Sequence, residues 1–169
     1  MEAMFVLHAT KKLLERLGSA TADSSARSTT VMGSWYGTAI FWRPQVALFV
    51  NETTLLPVLV HLAPARTVFP RFAESLAAVL GELGVPHPLV AREIELMAEH
   101  QLAKTANRSV VGMMNEFSYL ADAHGRAQTT SDLLRLSVTL AGTPCGPLSS
   151  RSGFPDLEIS ALFGPDARS

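Results

Sequence analysis

The chain of 169 residues contains one cysteine, Cys145, so no disulfide can form within it and its stability has to come from packing. No apolar run approaches the ~18 residues of a membrane-spanning helix, so no membrane association is expected. An excess of charge of one sign is also missing. Fourteen Lys and Arg stand against fifteen Asp and Glu, a net charge of −1. That balance argues against a broad basic face for nucleic acid, but it leaves room for a local basic cluster. Charged residues make up only 17% of the chain and apolar residues 47%. This is the composition of a packed domain and not of a disordered segment. The first apolar stretch is short, is interrupted by His8 and runs into Lys11 and Lys12. A signal peptide is built differently, and the expected location is the cytoplasm.

Familiar chemical signatures are missing as well. There is no Gly-x-Gly-x-x-Gly, no Gly-x-x-x-x-Gly-Lys phosphate loop and no Gly-x-Ser-x-Gly elbow. The histidines (His8, His61, His87, His100 and His124) are scattered, with no pair at metal-ligand spacing on one helix. Neither a metal nor a cofactor is expected. Cys145 follows a predicted helix C-terminus, whose negative dipole end raises a thiol pKa, so it is read as structural.

What is present is periodicity. Residues 4–8 read as a strand, and 10–18 as a helix with Leu13, Leu14 and Leu17 inward. Residues 19–33, rich in Ser and Thr, read as a long loop. Three strands follow at 34–42, 45–50 and 55–62, separated by short turns and therefore antiparallel. Pro57 makes the third of them an edge strand or a bulged one. From Thr67 the period becomes helical: a helix to Leu83, one opened by Pro88, one over 108–123 and one capped by Thr129. The expected fold is α+β. An antiparallel sheet, made of one N-terminal strand and a three-strand meander, packs against four to five helices. A single domain is expected over 1–148, with a flexible C-terminal tail over 149–169.

The candidate site is the start of the 107–123 helix. At ~100° per residue, Val110, Met113, Met114, Phe117, Leu120 and Ala121 share one broad face, while Arg108, Gly112, Asn115 and Tyr119 line the other. The first turn of a helix presents free N–H groups and partial positive charge. Here it carries Lys104, Asn107, Arg108 and Ser109, with Asn115 two turns further on. These residues fit an anionic ligand, either a nucleotide-like molecule or a nucleic-acid phosphate. The same pattern also fits a structural pair between Arg108 and Glu52 or Asp122, and both readings stay open. A second class of function is a small hydrolase or transferase with Glu52 or Glu116 as general base, since an apolar site raises a carboxyl pKa towards working pH. A third is a protein-interaction component of a two-gene or mobile-element system, with a protein partner on an exposed sheet face around Trp35 or Trp42.

Three runs carry a resemblance. They are Leu48-Phe49-Val50-Asn51-Glu52-Thr53-Thr54-Leu55-Leu56-Pro57, the stretch from Asn107 to Phe117, and Thr143-Pro144-Cys145-Gly146-Pro147-Leu148. With Thr10 to Leu14 and Gly33 to Tyr36, they resemble a family of uncharacterised bacterial proteins known as a domain of unknown function. The resemblance spans residues 4 to 148 and implies no activity, cofactor or catalytic residue.

Overall fold

The computed structural model describes residues 4–164. Five strands form one sheet: β1 (Phe5–Ala9), β2 (Trp35–Ile40), β3 (Val46–Asn51), β4 (Pro57–His61) and β5 (His100–Lys104), in the order β4-β3-β2-β1-β5. The β2–β3–β4 meander is antiparallel, as its short turns require. The sheet as a whole is mixed, which corrects the expectation of an antiparallel sheet. β1 runs parallel to both of its neighbours, β2 and β5. The connection from β1 to β2 includes a helix, α1 (Lys11–Leu17), and a long loop. A connection of that length can return the chain to the same end of the sheet, which a hairpin cannot.

β5 has no counterpart in the sequence reading. Its five residues, His-Gln-Leu-Ala-Lys, lie on an edge and only Ala103 is buried, so apolar alternation is too weak to mark it. Lys104 therefore ends a strand instead of lying in the first turn of a helix.

Both faces of the central strands are apolar, and both are covered. Five further helices do this: α2 (Val68–Glu82), α3 (His87–Leu96), α4 (Arg108–Ala123), α5 (Thr130–Leu140) and α6 (Pro155–Phe163). On one face Phe5, Trp35 and Phe49 converge on Phe72 of α2, with ring centroids 5.7, 4.9 and 4.3 Å away. On the other face Tyr36, Leu48 and Val50 meet Val110, Met114 and Phe117 of α4 and Leu133 of α5. Trp35 and Trp42 are both buried, so neither centres an exposed sheet face. No helix among the described residues is long and apolar enough to cross a membrane.

Pro57 lies on an edge strand, where its missing N–H costs no ladder bond. The rest of that edge is blocked. Leu59 N–H donates to Ser137 Oγ of α5 (2.9 Å), and Arg71 of α2 donates to the carbonyls of His61 and Leu62 (3.1 and 3.0 Å). An edge so occupied cannot recruit another strand.

The segment after 148 was expected to be a flexible tail. Its described part instead forms α6, and Ile159 and Phe163 enter the same core as Phe72. The Ser, Gly and Pro content that masked this helix lies mostly in the turns before it, with Pro155 in its first turn; residues 165–169 lie outside the described residues.

Candidate functional site

His8 is the one polar residue of β1 and is only 3% exposed. It pairs in register with Tyr36 of β2, and the two rings stack with centroids 4.8 Å apart. Its Nδ1 lies 3.0 Å from the carbonyl of Lys104. A carbonyl only accepts, so Nδ1 carries the proton, and in the neutral ring Nε2 keeps its lone pair. Among the described residues Nε2 makes no hydrogen bond, yet it is not sealed: the buried side-chain atom without a partner is Trp35 Nε1. His8 lines a cleft, and Nε2 is the ring nitrogen left to meet what enters it.

The cleft owes its shape to the long loop between α1 and β2. The amides of Thr21 and Ala22 donate to Leu102 O on β5 (3.0 and 2.9 Å). Further along, Ser28 Oγ accepts from Val6 N–H and Thr29 pairs with Met4, beside β1. The loop therefore crosses the sheet, and its 24–27 segment forms a wall above His8. Its far end is anchored by Glu93 of α3, fully buried, which accepts from the amides of Val31 and Met32 (2.9 and 3.0 Å). Burial pushes the Glu93 carboxyl above its usual range, and the two amide bonds offset only part of that.

The opposite wall is the approach to α4. Tyr36 Oη accepts from the amides of Ala106 (3.3 Å) and Asn107 (2.8 Å), which holds the chain over the stacked rings. Asn107 then caps α4, its Oδ1 accepting from Ser109 and Val110 amides. Such a cap contributes ~1 kcal/mol, and among the described residues the Asn107 Nδ2 donor has no partner. Glu52, in the β3–β4 turn, closes the cleft, whose volume is ≈ 370 Å³. A second cleft of ≈ 230 Å³ shares Glu52 and Asn107 and extends to Ser109 and Arg151.

The residues expected to form the site are divided by this geometry. Asn107, Ser109 and Glu52 line the clefts. Lys104 contributes its carbonyl to His8, and its side chain is exposed at the end of β5. Arg108 is exposed and lines neither cleft, while Asn115 and Glu116 lie exposed further along α4. The internal pairing weighed for Arg108 is not formed, because Arg108 is in none of the ion pairs among the described residues. Asp122 instead pairs with Arg126 at 2.9 Å. His8, Tyr36 and Arg27 were missed as site residues. The available signal was a lone histidine in an otherwise apolar strand.

A family model described as a domain of unknown function, DUF6933, matches residues 6–158. The chain belongs to the DUF6933 family. No curated protein and no solved structure matches it. The match takes in β1, both clefts and the start of α6, and so runs beyond residue 148, where the resemblance read from the sequence stops.

Two features of this DUF6933 domain that attract notice in the sequence have structural accounts. Cys145 is buried, and its Sγ donates to Thr143 O at 3.3 Å. Burial, helped by the nearby Glu116 charge, pushes the thiol up to about 11. The folded protein is therefore expected to resist thiol-alkylating reagents at pH 8 and to react readily once unfolded. Rapid labelling of the folded protein at pH 8 would contradict this account. Gly112, on the exposed stripe of α4, has nothing within 4 Å of where a Cβ would stand. Gly112→Ala should raise stability by about 1 kcal/mol in urea unfolding, from helix propensity alone. A loss instead would mean that the backbone there is approached closely by something in solution.

Proposed function

We propose that this DUF6933 domain is a binding module for a small anionic ligand, held between the 24–27 loop and the start of α4. The observation that carries the reading is His8, a cleft-lining residue only 3% exposed whose Nε2 has no partner among the described residues. An unpaired polar atom at the floor of a concave polar site is a usual mark of a ligand position. Donors surround it. Asn107 Nδ2 and the Arg27 guanidinium are uncommitted among the described residues, and the positive end of α4 begins at the cleft wall. Ser109 adds a hydroxyl in the adjoining cleft, Lys104 and Arg108, which line neither cleft, add positive potential from the end of β5 and the start of α4, and Asn115 lies further along the same helix. The reading places the protein in a bacterial cytoplasm, on its unpaired cysteine and its motif resemblance.

A thermal-shift panel of phosphate, sulfate, nucleotides, short oligonucleotides and carboxylates tests this. A ligand at a hundred times its Kd adds ~2.7 kcal/mol of apparent stability. At least one small anion is expected to shift the wild type, less so at high salt, with a modest reduction in Arg108→Ala. No shift with any anion would sink the reading.

A further inference from the structure

The cleft contains both donors and acceptors that the protein does not use. Among the described residues the Arg27 guanidinium and the Glu52 carboxylate make neither hydrogen bond nor ion pair, although both line the cleft. Asn107 spends its Oδ1 on α4 and keeps Nδ2 free. His8, with its proton held on Nδ1, offers Nε2 as an acceptor. Two groups donate, two accept, and the charges of Arg27 and Glu52 cancel.

A simple anion satisfies half of that set and brings negative charge towards Glu52, which repels it. In the adjoining cleft the only other ionic side chain, Arg151, is already engaged by Glu158 (3.2 Å) and by Thr53 O (2.7 Å). A polyphosphate or a nucleic-acid strand running through both clefts would carry several negative charges past Glu52, with Arg27 the one uncommitted cation among the described residues that line them.

We infer that the ligand is a small zwitterion, a free amino acid being the simplest. Its carboxylate is held by Arg27 and Asn107 Nδ2, and its ammonium by Glu52, with His8 Nε2 accepting a remaining N–H. This rests on the anion-binding reading of the same cleft and amends it: the group held by Arg27 and Asn107 is still an anionic carboxylate, but it is carried on a molecule of zero net charge. The volume of ≈ 370 Å³ lies at the small end of small-molecule sites, roughly 300–1,000 Å³.

The test is calorimetry and thermal shift on the full chain with the free L-amino acids, their N-acetyl and amide derivatives, inorganic phosphate and adenosine monophosphate. At least one free amino acid should bind, and both of its derivatives should bind roughly 10- to 100-fold more weakly, the loss of one charged hydrogen-bonded partner. Glu52→Gln should weaken the free amino acid and strengthen its N-acetyl form. Arg27→Gln should weaken both. Neither side chain has a partner among the described residues, so both variants should unfold at the wild-type denaturant midpoint. Equal affinity for the free and N-acetyl forms would overturn the inference. Binding of phosphate or nucleotide without any amino acid would also overturn it, yet leave the anion-binding reading standing. Silence across the whole set would remove both.

Discussion

Asn51→Leu is expected to lower the stability of the domain by about 3–5 kcal/mol, since several buried partners lose their hydrogen bonds at a cost of roughly 1–3 kcal/mol each. Asn51 is fully buried at the end of β3. Its Oδ1 accepts from the amides of Thr53 and Thr54 and from the Thr54 hydroxyl (3.1, 2.9 and 3.0 Å). Its Nδ2 donates to the carbonyls of Met32 and Ser34 (2.9 and 3.3 Å). One side chain thus folds the β3–β4 turn and ties it to the end of the long loop. Leucine has similar size and none of these bonds. Asn51→Asp is the sharper variant, because it keeps the acceptor side and sets a second carboxylate oxygen against two carbonyls. It should cost as much as leucine or more at neutral pH. Urea unfolding measures both. A loss below about 1 kcal/mol for Asn51→Leu would mean that water reaches these groups and that the turn does not depend on this residue.

His8→Phe is expected to abolish ligand-induced stabilisation while leaving the fold intact. Phenylalanine can keep the stack on Tyr36, and the one bond it gives up, Nδ1 to Lys104 O, contributes about 1 kcal/mol. What it removes completely is Nε2. Wild-type stabilisation of several degrees by the best ligand of the panel should therefore disappear in His8→Phe and persist, reduced, in Arg108→Ala. The opposite ranking would move the site from the cleft to the exposed side of α4.

Much of the architecture is legible in the sequence, for physical reasons that differ between elements. The β2–β3–β4 meander announces itself because its turns are short and its strands are long apolar runs. α4 is legible to its ends because Asn107 caps it and its apolar stripe is unbroken. β5 is not, since an edge strand with one buried residue has no pattern to read. The parallel β1–β5 pair is therefore unreadable, whereas the strand–helix–strand order of β1, α1 and β2, with its long connection, already allows the parallel pair that makes the sheet mixed. α6 is hidden by the turn-forming residues ahead of it, although Ile159 and Phe163 are core.

The candidate site is legible only at one wall. Helix-terminus physics finds Asn107 and Ser109 but credits Arg108, which is exposed and lines neither cleft. His8, Arg27 and Glu52 come together through strand register and a loop that crosses the sheet. No local spacing records that path.

The most direct measurement is the side-chain nitrogen spectrum of His8 in uniformly 15N-labelled protein, assigned by its loss in His8→Phe and followed through the ligand panel. The account predicts a ring protonated on Nδ1 in the free protein, and an Nε2 resonance that moves and saturates with the ligand that raises thermal stability. A ring protonated on Nε2 alone, or an Nε2 signal unmoved by every member of the panel, would contradict it.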